Sequence, residues 1–111
     1  MNSKKYISLL GMARRAGKLS MGHDMALGAV KGGKAKLVVF ASDISPRLIK
    51  EFEFAVSNVK KPIDCIQIEE TINDLHRFLG YKAGVLTVDD INFSTRIYEL
   101  IREENVYVDK D

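Results

Sequence analysis

A short helix, a glycine pair and a buried strand follow one another between residues 21 and 43, and this order restricts the possible folds most. The helix opens at residues 22–24 and stops at Gly32–Gly33, because glycine adopts positive φ without steric cost. The apolar run 37–41 is rich in β-branched and aromatic residues and predicts a strand buried on both faces. Such a strand needs helices packed on its sheet, so the segment indicates an α/β fold.

The rest of the chain continues this alternation of helices and strands. Apolar residues recur at helical spacing in 6–13, 48–59 and 93–101. Helix starts are marked by the candidate N-caps Ser3, Ser45 and Thr71, and further strands are predicted at 63–68, at 84–88 and, as an edge strand, at 106–108. The order predicts one domain over residues 1–111, an α/β/α sandwich on a small and largely parallel sheet.

Charge is divided unevenly between the two halves of the chain. Residues 1–50 contain ten Lys/Arg and two Asp/Glu, whereas residues 51–111 contain seven and thirteen, so the halves carry +8 and −6 and the whole carries +2. A basic first half is typical of a surface that binds a polyanion such as nucleic acid. It is equally consistent with two differently solvated ends of one domain.

Catalytic and metal-binding patterns are not evident. The two histidines and the single cysteine lack the spacing of a zinc site, and Cys65 lies in an apolar run that predicts a small core residue. Asp89-Asp90 could bind Mg²⁺ but more simply forms a turn and a helix cap. No run is apolar enough to span a membrane, and no leader pattern is present, so we expect a cytoplasmic protein. Because no catalytic or metal site is recognisable, we expect no enzymatic activity and no cofactor.

Several motifs together resemble a known family. They are the run 9–18 ending in Gly17-Lys18, a glycine helix start at Gly22, the run 33–46 ending in Ser45-Pro46, and the segment 75–80. In this order they are similar to the kink-turn RNA-binding ribosomal protein superfamily that includes the large-subunit protein L-seven-Ae, and within it to the bacterial YlxQ-like branch. The resemblance extends over about residues 5–101.

The resemblance implies a three-layer α/β/α sandwich with a mixed four-stranded sheet and a ribosome-associated RNA-binding role. In that family the start of the second helix contacts sheared G·A pairs, and a loop before the last core strand covers a flipped-out nucleotide. It implies structured RNA, including ribosomal RNA, as the partner of a monomer, with neither a membrane nor a small-molecule substrate. Carried over by position, with nearby basic residues, the RNA-binding residues are Arg14, Arg15, Lys18, Gly22, His23, Asp24, Met25, Gly28, Lys31, His76, Arg77 and Gly80, the covering loop lying at 75–80.

Four positions depart from the family pattern. The family helix presents Asn, Glu and, one turn later, Lys, where this chain has Asp24, Met25 and Gly28. A carboxylate at Asp24 can still accept from a guanine edge. His76 stands where the family loop has glycine, and its imidazole could stack on a base.

Plainer interpretations of the same residues remain open. Gly22 can be a turn glycine, His23 an exposed polar residue, Asp24 a helix cap, and the Lys31 region a solvated helix end. The alternative function is a protein-protein interaction module that uses the acidic half or the last helix. A continuous positive face joining Lys18, Arg14 or Arg15, the Gly22 helix start and Arg77 would favour RNA, and a scattered arrangement would favour the module.

Overall fold

The chain alternates helices and strands, as the sequence pattern predicts. The computed structural model describes residues 4–109, with side chains described for residues 4–104. Its elements are α1 (Lys5–Arg15), β1 (Leu19–Met21), α2 (His23–Lys31), β2 (Leu37–Phe40), α3 (Pro46–Ser57), β3 (Asp64–Gln67), α4 (Ile72–Leu79), β4 (Val85–Val88) and α5 (Ile91–Asp109). None of the helices in this part of the chain combines the length and apolarity needed to cross a membrane.

The four strands form one mixed sheet in the order β1-β4-β2-β3. β2 and β3 pair in parallel, and β4 pairs antiparallel with both β1 and β2. The mixed sheet implied by the family resemblance is therefore confirmed, and the largely parallel sheet inferred from alternation alone is wrong.

The direction of β4 follows from its connection. α4 has only eight residues, about 12 Å of helix, and the loop at 80–84 returns the chain to the edge at which β2 ends. There Ala41 N donates to Gly84 O at 2.8 Å. The chain thus re-enters the sheet from the end that it has just left, instead of crossing the sheet as a parallel connection would.

Helices cover both faces of the sheet, which gives the three layers. Alternate residues of β2 point to opposite sides, with Leu37 and Val39 packing under α1, α4 and α5, and Val38 and Phe40 under α2 and α3. Phe52 of α3 is fully buried and meets the Phe40 ring edge to face at 6.0 Å between centroids. The three-layer α/β/α sandwich is confirmed.

Short polar and glycine signals set most of the helix ends. Ser45 Oγ accepts from Leu48 N at 3.2 Å, and Thr71 forms the expected reciprocal capping box with Asp74. α1 and α4 are followed by Gly17 and Gly80 in the left-handed region, at φ 74° and 78°. Each of these local predictions is confirmed because it depends only on neighbouring residues.

Two local predictions are wrong, and a third, Cys65 as a core residue, holds only in part because Cys65 packs at the margin of the core. The edge strand at 106–108 is instead the continuation of α5, since helical spacing persists from Phe93 onwards. The N-cap of α1 is Lys4, and Ser3 lies outside the described residues. Cys65 is only partly buried, because β3 is the edge strand; burial nevertheless raises the pKa of its thiol to about 11, with Glu53 and Asp64 contributing, so the thiol stays protonated at neutral pH.

Candidate functional site

The start of α2 is set by a glycine in a conformation that other residues avoid. Gly22 has φ 94° and ψ 164°, a region that is almost exclusive to glycine. Its N–H donates to Val85 O at 3.0 Å, and its carbonyl accepts from Ala26 N at 2.9 Å, so it joins the end of β1 directly to the helix. No side chain in the described part of the chain caps α2, which leaves its first-turn N–H groups for an external acceptor.

Tyr81 lies beside this helix start. A methyl group added at Gly22 would be 3.4 Å from Tyr81 Oη, and the tyrosine side chain is 45% exposed. Tyr81 belongs to the loop at 80–84, which connects α4 to β4. Tyr81 is not among the residues predicted from the sequence, although an aromatic residue between Gly80 and Gly84, just before a core strand, could have indicated it.

The segment 75–80, predicted to be the covering loop, is mostly helical. Residues 75–79 form the second half of α4, with Leu75 and Leu79 buried, because the capping box at Thr71 starts a helix that Gly80 ends. The loop before the last strand is instead at 80–84. His76 and Arg77 are therefore exposed helical residues rather than loop residues, and only Gly80 of the predicted set begins the loop.

His23 is held between two carboxylates. Its Nδ1 lies 3.0 Å from Asp24 Oδ1 and its Nε2 lies 3.0 Å from Glu51 Oε1 and Oε2. The ring also meets Phe52 edge to face, with centroids 5.8 Å apart. The hydrogen bonds to Asp24 and then to Glu51 raise the pKa of His23 above 6.5, against a small desolvation penalty. His23 thus ties α2 to α3 and is not simply an exposed polar residue.

The outer face of α2 is exposed to solvent and is not covered by other parts of the described chain. The Asp24 side chain is 99% exposed and does not cap the helix, because Gly22 occupies the N-cap position. Met25 is 62% exposed, and a methyl group added at Gly28 would meet nothing within 4 Å. The first two turns therefore present a carboxylate, a thioether and an open backbone.

The basic residues predicted to join this site lie mainly at the opposite end of the strands, the edge of the sheet at which β4 ends. Lys18 O accepts from Asp89 N at the end of β4, whereas Gly22 pairs with Val85 at its beginning. Four residues of extended chain separate Lys18 from Gly22, about 13 Å. Arg14 and Arg15 end α1 near Lys18, and Lys31 ends α2 at that edge.

The single positive face considered in the sequence analysis is therefore absent from the described residues. Arg77 is also occupied, since its Nη2 lies 2.9 Å from Asp74 Oδ1 and its guanidinium lies 5.3 Å from the Phe78 ring centroid. The cations are not scattered, however, because most of them gather at one edge. The two edges of the sheet have different chemistry: one presents the α2 start and Tyr81, and the other presents lysines and arginines.

The acidic pair after β4 serves the fold. Asp89 accepts from Ser20 Oγ at 2.6 Å and from Thr87 Oγ1 at 2.8 Å. Asp90 Oδ2 accepts from Phe93 N at 2.9 Å in the first turn of α5. The turn-and-cap interpretation is confirmed, and no group of three metal-ligating side chains occurs among the residues that the structure describes.

An NMR titration should give His23 a pKa above 6.5, because both carboxylate contacts favour the protonated ring. Since the folded-state pKa is raised, the contact stabilises the fold fully below the ordinary pKa and is lost as pH rises through the raised value. Glu51→Gln should move the pKa of His23 down, whereas Glu53→Gln, on the same helix and exposed, should leave it unchanged. An unaltered pKa in Glu51→Gln would contradict this geometry.

The fold and this helix start define a class of small three-layer α/β/α domains whose second helix opens at a glycine. The chain belongs to the ribosomal protein L7Ae/L30e/S12e/Gadd45 family, whose sequence model matches residues 4–97. The family assignment from the sequence is confirmed.

Individual relatives agree with this assignment. RNA-binding protein YlxQ of Enterococcus faecium is 29% identical over 100 residues, which cover 90% of this chain and 94% of the relative. RNA-binding protein YlxQ of Bacillus subtilis is 26% identical over 102 residues, 91% of this chain and 99% of the relative.

Solved structures show the same architecture. A protein of unknown function from Bacillus halodurans superposes with a TM-score of 0.80 at 29% identity, covering 89% of this chain and 98% of that one. The Giardia lamblia 15.5kD RNA binding protein superposes with a TM-score of 0.70 at 19% identity, covering 93% and 90%. At that identity the second likeness concerns the fold alone.

Proposed function

We propose that the protein is a non-catalytic, cytoplasmic RNA-binding protein that recognises a kinked internal loop in structured RNA, such as ribosomal RNA. The observation that carries the proposal is the uncapped start of α2 at Gly22 with Tyr81 beside it. Support comes from the family and from the two relatives named RNA-binding protein YlxQ.

The chemistry of the α2 start suits bases better than phosphates. Asp24 and Glu51 place two carboxylates near the first turn, and a carboxylate repels a phosphate. Carboxylates do accept hydrogen bonds from base amino groups, and the first-turn N–H groups can donate to base or sugar acceptors. Selectivity would then come from base edges that are exposed only where a kink opens the groove.

Tyr81 supplies the second element of the proposed site. Unpaired bases in RNA are held mainly by stacking on aromatic rings. Tyr81 is exposed, lies against Gly22 and belongs to the loop before the last strand. We assign to it the covering of an unpaired nucleotide, in place of the segment 75–79, and the exposed Met25 provides an apolar contact in the first turn of α2.

Asp24→Ala should weaken binding to a kinked RNA by about 1–3 kcal/mol and leave binding to plain duplex nearly unchanged, since it leaves a base donor unpaired. Asp24→Asn keeps an acceptor oxygen and removes only the charge, so it should retain most of the affinity. Both proteins would be titrated against a kinked loop and a matched duplex.

Removing the negative charge of Asp24 could also change the RNA affinity in the opposite direction, by ending its repulsion of phosphates. The two variants distinguish this effect from the loss of a base contact. If Asp24 only repels phosphates, Asp24→Ala and Asp24→Asn would both tighten binding to both RNAs. Glu53→Ala provides the matched control, because it removes one exposed carboxylate from α3 without touching α2. A tightening shared by both Asp24 variants would remove the base-reading role.

A protein-interaction module remains the second candidate. It is favoured by the separation of the α2 start from the basic edge and by the exposed Met25 and Phe78. Under that function, Tyr81→Ala would leave RNA binding unaffected. Under the proposed function, it should weaken binding to kinked RNA by about 1–3 kcal/mol, the usual effect of losing one stacked base.

A further inference from the structure

A groove of about 840 Å³ lies at the basic edge of the sheet, remote from the α2 start. It is bounded by the end of α2, the entry to β2 and the turn between α3 and β3. Its lining is partly apolar and includes Ile91, which is 59% exposed. Four lysines also line it: Lys31, Lys36, Lys60 and Lys61. We call this the lysine groove.

The four lysines have no neutralising partner in the part of the chain whose side chains are described. Among the side chains described, those of residues 4–104, none of the four forms an ion pair or a hydrogen bond. Of the nearby carboxylates, Asp89 binds Ser20 and Thr87 and lies 3.9 Å from Lys34 Nζ, which does not line the groove, and Asp90 binds the backbone of Phe93. Four like charges on one concave surface repel one another, and a polyanion in the groove would relieve that repulsion.

The end of α2 leaves room for the backbone of a ligand to approach closely. The carbonyls of Gly28, Ala29 and Val30 accept from Gly32 N, Lys34 N and Gly33 N, which satisfies the negative end of the helix. Gly32 and Gly33 themselves are exposed and carry no side chains to obstruct a backbone. The negative helix terminus is therefore masked by its own turn, and the lysines set the sign of the surface.

The spacing of the edge fits a nucleic-acid backbone better than a small anion. Lys18 precedes β1, Lys36 precedes β2 and Lys61 lies three residues before β3, and β1 and β3 are three strand intervals apart, about 14 Å. A single small anion cannot extend over this distance, whereas a nucleic-acid strand carries several phosphates along it. Arg14 and Arg15 lie in the last turn of α1, which leads through a short turn to Lys18.

A direct path joins the two edges. α2 is nine residues long, about 14 Å, and begins at the proposed base-reading site. Asp24, Gly28 and Lys31 lie at i, i+4 and i+7 on its outer face, and Gly28 leaves the middle of that face bare. An RNA arm that leaves the α2 start along this face would pass over the open backbone at Gly28 and reach the lysine groove.

We infer that the lysine groove is a second RNA contact, which binds the phosphate backbone of an arm flanking the kinked loop. The inference rests on the proposed function for its class of ligand. It assigns the two chemical surfaces different tasks: the α2 start selects the loop, and the groove holds the arm by charge.

The test compares two RNAs that share one kinked loop, the first with a short flanking stem and the second with that stem lengthened by one helical turn. Lys60→Ala/Lys61→Ala should weaken binding to the longer RNA by roughly tenfold and reduce its salt slope by about two units. Binding to the short RNA should stay within about twofold. The matched control is Lys5→Ala/Lys50→Ala, which removes two exposed lysines outside the groove and should affect both RNAs slightly and equally.

The possible outcomes separate the two proposals. If the wild type binds both RNAs equally, or if the groove and control variants behave alike, the groove is not an RNA contact, and the proposed function stands. If the short RNA is not bound while the longer RNA binds through Lys60 and Lys61, the groove stands and the loop-reading site fails. If the Lys60→Ala/Lys61→Ala variant binds free phosphate ion more weakly but binds both RNAs as the wild type does, the inference is also overturned. Melting curves of every variant establish that it is folded.

Discussion

Gly22→Ala is expected to lower the free energy of unfolding by about 1–3 kcal/mol, because alanine must adopt a φ and ψ that only glycine tolerates. Its methyl group would also lie 3.4 Å from Tyr81 Oη. Relief of that strain should shift Tyr81 or the first turn of α2, and we expect the folded variant to bind a kinked RNA about tenfold more weakly, 1.4 kcal/mol. Thermal melting and RNA titration measure the two effects.

Gly28→Ala is the matched control on the same helix. Gly28 is helical, and an added methyl group would enter open space. Because alanine favours the helix, this variant should gain up to about 1 kcal/mol in stability, the opposite sign to Gly22→Ala. Stability changes of the same sign in both variants would show that the strained backbone at Gly22 is not the cause.

Raising the salt concentration from about 50 to about 200 mM should weaken RNA binding by about a hundredfold, if about four phosphates are neutralised. The expectation is based on the +8 charge of residues 1–50 and on the cations gathered at one edge of the sheet. Counterions released from RNA produce a linear dependence of the logarithm of affinity on the logarithm of salt. An affinity that does not change with salt would rule out an electrostatic contribution from these cations.

The helix ends and the core could be predicted from the sequence because their causes are local. The capping box at Thr71 depends on residues three apart, and the burial of Leu37 and Val39 follows from an apolar run that can only be a strand. The direction of β4 could not be predicted by alternation. It depends on the edge at which the loop at 80–84 re-enters the sheet, a long-range property that only the family resemblance supplied.

The composition of the site was harder to predict than the position of its helix. Gly22 and the start of α2 were placed correctly, but Lys18, four residues earlier, lies at the opposite end of β1. Because Lys18 and Gly22 are close in the sequence, they were predicted to share one site, but the extended strand β1 separates them. Conversely, Tyr81 is distant from Gly22 in the sequence and reaches it only because β4 pairs beside β1.

Titration of the wild-type protein against a kinked internal loop and a duplex of matched length, at physiological salt, tests the central claim most directly. The duplex differs only in that its internal loop is fully paired, so both RNAs present the same phosphates. If the α2 start and Tyr81 read a kink, the kinked RNA should bind more tightly, and Asp24→Ala should reduce that preference. Equal affinity for the two RNAs would contradict loop recognition and leave only charge-driven binding.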